Sequence, residues 1–157
     1  MSVSVQEQDF DAGAEIAALS AGRDDVGAVA SFVGLVRADK AGGANVGADD
    51  TAAVQAMTLE HYPGMTEKAL AGIVAEAKSR WQLLGVRVIH RIGRLLPGDR
   101  IVLVAVASSH RGDAFAACEF IMDYLKSRAP FWKKEETPQG GRWVDARESD
   151  DAAAGRW

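Results

Sequence analysis

The feature that most constrains this chain is the unbroken apolar stretch IVLVAVA at residues 101–107. A continuous run of this kind reads as a central strand buried on both faces. The flanking pattern predicts the remaining elements. Val3 and Val5 alternate with polar residues as a short first strand. Residues 11–19 predict a short helix with Ile16 and Leu19 as its apolar contacts. Residues 27–37, rich in Val and Phe, predict a buried strand, and residues 54–62 another, broken by Pro63 and Gly64.

Met65, Ala69, Ile73, Ala77 and Trp81 recur at every fourth position, which predicts an amphipathic helix over 65–81. Residues 85–95 read as one strand, with Val86, Val88, His90 and Ile92 alternating with a wetter set of Arg87, Ile89 and Arg91. Residues 96–99 (LPGD) form a turn, with Pro fixing φ and Gly permitting the unusual one. Asp113 is the expected cap of the next helix. Ala114, Ala117, Cys118, Ile121 and Leu125 are its core stripe, and Pro130 ends it. Residues 131–136 and 142–146 predict two short strands around a PQGG turn. Strands and helices mix without strict βαβ alternation. The expected class is therefore α+β, a single domain over 1–157 with a largely antiparallel sheet and two main helices. Residues 39–53 are dominated by Gly, Ala, Asn and Asp and read as a mobile loop.

Composition narrows the function classes. The net charge is −4, against the basic excess of a general nucleic-acid binder, though a local basic pocket for a small anion stays compatible with it. Cys118 is the one cysteine, so an intramolecular disulfide is impossible and a cysteine-based zinc site within one chain is not expected. No run of about 18 apolar residues exists to span a membrane. Residues 1–10 carry acids and no export pattern, so a cytoplasmic location is expected. No P-loop, G-x-G-x-x-G or G-x-S-x-G is present, and no cofactor is called for.

Three groups of basic residues are candidates for chemistry. Ser108 to Asp113 (SSHRGD) lies between the central strand and a helix start, where free N–H groups and the positive end of the helix dipole suit an anion. Arg111 adds a planar donor fork, and His110 donates or accepts according to its protonation. Lys126, in the last turn of that helix, and Lys133, on the strand after Pro130, form the second group. A sharp turn there would bring both amines to one cleft, where each like charge lowers the other's proton affinity. A neutral amine can attack an acyl group or act as a base. A basic residue in a last helical turn also simply complements the dipole, and both readings stand. Arg37, at a strand end, gains interest only if the fold brings it near His110 and Arg111. Glu60 and His61 are too few for a metal site, and His61 and Tyr62 read as edge packing. Cys118 reads as a buried, inert thiol.

Taken together, TLEHYPGMTEKAL from Thr58, VIHRIGRLLPGD from Val88, SSHRGDAF from Ser108, FIMDYLKSRAPFWKKE from Phe120 and RWVDARESD from Arg142 resemble the large subunit family of molybdopterin synthase. The resemblance covers most of the chain from about Val26 onward and is loose before Asp25. It implies an α/β-hammerhead-type domain and a homodimer within a heterotetramer. The other subunit would be a small ubiquitin-like sulfur carrier with a C-terminal Gly-Gly thiocarboxylate. The implied substrate is a pterin phosphate, cyclic pyranopterin monophosphate (precursor Z), and the product is molybdopterin. By position, Lys126 matches the family's essential lysine and Lys133 a second active-site lysine. His110 and Arg111 match a phosphate pocket completed across the dimer. Arg37 matches a further anion contact with Leu35 and Val36 alongside, and Lys134 and Glu135 flank Lys133. Leu35 departs from relatives with a basic residue there, so its contact would be through backbone. The loop at 39–53 looks longer than theirs. Without the resemblance, a non-catalytic binder of a phosphorylated ligand and a purely structural dimerising subunit remain alternatives.

Overall fold

A computed structural model describes residues 2–38, 53–138, 140–144 and 148–157. In chain order the first half runs β1 (Val3–Gln6), α1 (Ala12–Ser20), β2 (Ala28–Leu35), β3 (Ala56–His61) and α2 (Met65–Arg80). It continues as β4 (Leu83–Arg91), β5 (Gly93–Leu95), β6 (Arg100–Ser108) and α3 (Arg111–Arg128). β7 (Phe131–Thr137), β8 (Gly140–Val144) and α4 (Glu148–Ala154) complete it. The class is α+β, as expected, and the expected single sheet is two. One has the order β1-β4-β6-β2 and the other β5-β3-β7-β8. All pairings are antiparallel except β1 with β4.

The apolar run sits at the centre of the first sheet because it must be covered twice. Val102, Val104 and Val106 of β6 face α2 and α3, where they join Leu70, Ile73, Phe120 and Ile121 in the main core. Leu103 and Ala105 face the other way, against Phe10, Ile89 and the α1 residues Ile16 and Leu19. Each buried Val, Leu, Ile or Phe among them stabilises the fold by roughly 1.5–3 kcal/mol over an exposed one, whereas Ile16 and Leu19 are only partly buried.

Several sequence expectations change. The face that α2 buries is Thr66, Leu70, Ile73, Val74 and Ala77, while Met65 is 64% exposed. A strict four-residue step drifts around a helix of 3.6 residues per turn, so the true stripe mixes three- and four-residue steps. The single strand over 85–95 is two: Gly93, at φ +84°, redirects the chain after Ile92 into the second sheet. Its wetter side is also covered, since Ile89 is buried under α1 and Arg87 pairs with Glu15 at 3.1 Å. Asp113 is not the cap of α3. The N-cap is His110, without a side-chain cap bond, and Asp113 lies within the first turn. There its carboxylate complements the dipole instead.

The predicted turn at 96–99 is present. Leu96 N–H donates to Asp99 Oδ2 at 2.8 Å, and Gly98 adopts φ +90°. The polar helix α4 was not predicted. It leads to Trp157, whose ring meets Trp81 and Phe120 edge-on and whose Nε1 donates to Asp123 at 2.6 Å. β8 starts two residues earlier than predicted, and Asp145 and Ala146 lie outside the described residues. So do residues 39–52 of the predicted loop.

Candidate functional site

α3 follows β6 after a two-residue link and packs back across it, with Cys118 Sγ 3.7 Å from the Val104 carbonyl. The helix therefore starts at the Ser108 end of the first sheet and finishes at the end where Leu35 pairs with Arg100. Pro130 then stops it, and Ala129 takes the extended backbone favoured before proline (φ −83°, ψ 133°). The Thr66 hydroxyl donates to the Pro130 carbonyl at 3.3 Å, which ties this turn to α2. β7 begins at once and pairs with β3, so Lys133 lies opposite Leu59 only a few residues after Lys126.

The first residue of β7, Phe131, packs on a residue that the sequence placed beside Val86 and Val88 without a role. His90, on β4, is 5% exposed. Its ring stacks on Phe131, centroids 3.8 Å apart. Its Nδ1 lies 2.8 Å from the Arg91 carbonyl, so in the tautomer with Nδ1–H donating, Nε2 keeps its lone pair. Burial pushes the imidazole pKa down to about 4. The positive charges of Lys126 and Lys133, and the neighbouring His61, push the same way, against the Arg91 carbonyl. His90 is thus neutral near pH 7, within electrostatic reach of a lysine from α3 and a lysine from β7. Lys126 is exposed, and among the described residues it has no ion pair or hydrogen bond. The only sequence signal for His90 was an imidazole at an inward position of an apolar strand.

The end of β2 reaches the same region. Val36 is buried against Met57, Leu59 and Leu95, and its backbone bonds the turn through Asp99 and Gly98 at 2.9 and 2.8 Å. Met57 and Leu59 are the cross-strand partners of Glu135 and Lys133. Leu35, 52% exposed, and the exposed Arg37 flank Val36 at this end. Glu135 faces inward with Lys133. Its Oε2 is buried without a hydrogen bond, 3.6 Å from the Arg142 guanidinium. Lys134 takes the opposite face because strand side chains alternate, and its amine lies 5.8 Å from the Trp143 ring centre.

His110 and Arg111 are exposed at the other end of α3. Fifteen helical residues separate Arg111 from Lys126, about 22 Å along the axis at the usual rise per residue. One chain therefore gathers the lysines, Val36 and Glu135 at one end and the imidazole–guanidinium pair at the other. Cys118 is buried and its thiol is pushed up to about 11, by burial and by Glu119, which fits the inert reading. Among the described residues no cluster of metal-ligating side chains is present, and no helix is long and apolar enough to cross a membrane.

The family described as MoaE protein matches residues 5–128. The chain belongs to the MoaE family. The match begins well before Asp25, so the N-terminal strand and α1 belong to the family pattern too. The chain is 64% identical over 155 residues to the molybdopterin synthase catalytic subunit of Ralstonia nicotianae, covering 99% of this chain and 83% of that protein. Among solved structures, the MoaE protein of Burkholderia ambifaria is 57% identical with a TM-score of 0.80, covering 99% and 97% of the two chains. A chain from a protein–protein complex of subunits 1 and 2 of molybdopterin-converting factor from Helicobacter pylori shares the MoaE fold at 20% identity. Its TM-score is 0.67, over 94% of this chain and 92% of that one. MoaE relatives are enzyme subunits by name, and this chain is one of their kind.

Proposed function

We propose that this chain moves sulfur from the thiocarboxylated Gly-Gly tail of a small ubiquitin-like carrier onto cyclic pyranopterin monophosphate, giving molybdopterin. The observation that carries the site assignment is the buried, neutral imidazole of His90 stacked on Phe131 at the start of β7, within electrostatic reach of Lys126 and Lys133. In this reading the carrier tail threads to the end of β7. The thiocarboxylate sulfur attacks a pterin side-chain carbon, an oxygen substituent leaves that carbon, and a carrier–pterin thioester forms. Water then cleaves the acyl–sulfur bond, releasing the carrier as a carboxylate and leaving the sulfur on the pterin. Lys126 polarises the acyl oxygen or transfers the proton, and Lys133 stabilises developing negative charge. Two rounds deliver the two sulfurs of the dithiolene.

The phosphate pocket calls on His110 and Arg111, which one chain does not bring to its own lysines. We assign it to Arg37 at the lysine end together with His110 and Arg111 of a second copy, whose uncapped α3 start adds open backbone N–H groups. Leu35, Val36 and Glu135 would line the approach, while Lys134, on the opposite face of β7, would not. A homodimer carrying two carriers follows, and the two-subunit complex of the Helicobacter pylori protein agrees with such a partner. The work is assigned to the cytoplasm, where carrier and pterin would meet.

Mixing the protein with a thiocarboxylated Gly-Gly carrier and precursor Z tests the reading. The expected product is the dithiolene, and Lys126→Ala should abolish it with fold and dimer intact. Pterin binding without turnover in the unmutated protein would leave a ligand-binding module instead.

A further inference from the structure

The segment from His61 to Thr66, which opens with a pair that the sequence reads as edge packing, holds the crossing from α3 to β7. That crossing is short. Phe131 N–H donates to the Ala129 carbonyl at 2.9 Å, a three-residue turn around Pro130 that sends the helix directly into the strand. Thr66 is 0% exposed. Its hydroxyl donates to the Pro130 carbonyl at 3.3 Å and accepts from the Tyr62 N–H at 3.2 Å. Its own N–H donates to the Tyr62 carbonyl at 3.0 Å. His61 is in register with Phe131, and the Tyr62 ring meets Trp132 edge-on with centroids 4.3 Å apart. Pro130, Phe131 and Trp132 are thus each held by a residue of this one segment.

Resting on the functional reading above, we propose that Thr66 is a positioning residue for the sulfur transfer, through its hydrogen bond to the turn that separates the two lysines. Lys126 lies four residues before Pro130 and Lys133 three residues after it. The angle of the chain at Pro130 therefore sets how the last turn of α3 stands against β7, and with it where both amines meet the carrier tail. Proline has no N–H with which to pin itself, so the turn is held through its carbonyl. The Thr66 hydroxyl has one proton to give, and the Tyr62 N–H on its lone pair leaves that proton for Pro130. Without the hydroxyl, the helix end and the strand start are free to shift against each other. A displacement of about 1 Å at a reacting group is enough to slow turnover severely. The phosphate contacts, at Arg37 and at the α3 start of a second copy, lie outside this turn. Thr66 thus acts on turnover and not on capture of the pterin.

The test uses Thr66→Val, which keeps the branched shape and removes the hydroxyl, and Thr66→Ser, which keeps the hydroxyl. Ile73→Val, on the buried face of the same helix, controls for lost stability alone. The reconstituted reaction is run at a temperature where every variant is folded by circular dichroism. Thr66→Val should lower kcat about tenfold, with KM for precursor Z within about twofold of wild type. Thr66→Ser should recover kcat to within about threefold, and Ile73→Val should match the wild type. A packing role alone would lower stability in Thr66→Val and Ile73→Val alike and leave kcat unchanged in both. Wild-type kcat in Thr66→Val overturns the inference, as does a Thr66→Ser protein no better than Thr66→Val, or an Ile73→Val protein equally slow. If Thr66→Val does not fold, Thr66→Ala, which sets no methyl against the Pro130 carbonyl, replaces it with the same expectations. An unmutated protein that makes no dithiolene sinks the functional reading itself, whereas an active one with a silent Thr66→Val sinks only the role of Thr66.

Discussion

The imidazole of His90 lies flat on the ring of Phe131, with centroids 3.8 Å apart and planes 17° from parallel. His90 belongs to the first sheet and Phe131 to the second, so this stack joins the two where the chain leaves α3 for β7. It fixes the imidazole against the first residue of β7, and it ties stability to one proton.

That proton sets a pH dependence. The His90 pKa falls from 6.5 to about 4 on folding, so between those values the unfolded chain binds more protons than the folded one. The contribution is intact above about pH 6.5 and is lost as the pH falls toward 4, by about 3 kcal/mol at most. Urea unfolding at pH 7.5 and pH 5 should show the drop in the wild type and a flatter dependence in His90→Phe. Equal pH slopes in the two proteins would contradict it.

Mixed dimers report whether the site spans two copies. Lys126→Ala and Arg111→Ala should each be nearly inactive alone. Unfolded together and refolded, they form hybrids in which one of two sites has both residues intact. With random pairing about one quarter of all sites recover. A mixture as inactive as its parents would place Lys126 and Arg111 in one chain's work, against the roughly 22 Å along α3 that separates them.

Gly27 guards the His110 end. A Cβ there would run into the Ser109 carbonyl, a backbone atom with no freedom to swing away, while the Gly27 N–H bonds the Ser108 carbonyl at 3.0 Å. Gly27→Ala should cost about 2 kcal/mol of stability through forced backbone movement. Isothermal titration with precursor Z should also show weaker binding, because His110 is the next residue. Unchanged stability would mean the β2 start gives way more easily than the geometry indicates.

Trp157 closes the helical layer. Its ring meets Trp81 and Phe120, its Nε1 bonds Asp123, and the Arg80 guanidinium reaches its carbonyl at 2.7 Å. Because Trp157 is only partly buried, Trp157→Ala should lower unfolding free energy by about 2 kcal/mol, below the range for a fully buried tryptophan. Turnover at a temperature where both proteins are folded should stay within about twofold. Loss of activity there would link this anchor to the lysine cleft.

Much of the scaffold was written locally. IVLVAVA at 101–107 dictated a strand covered on both faces, because seven consecutive apolar residues leave neither side for water. Pro130 dictated the end of α3 and Pro97-Gly98 the turn before β6, because both act through their own backbone dihedrals. Motif order alone pointed to the MoaE family and to Lys126 and Lys133. Tertiary structure decided the rest. It split residues 85–95 between two sheets, rotated the buried face of α2, and placed Lys134 away from Lys133. It also set His110 and Arg111 an entire helix away from the lysines. Above all it laid the ring of His90 on that of Phe131. That relationship joins residues from β4 and β7, so it exists only once the two sheets have closed on each other, and no spacing along the chain encodes it.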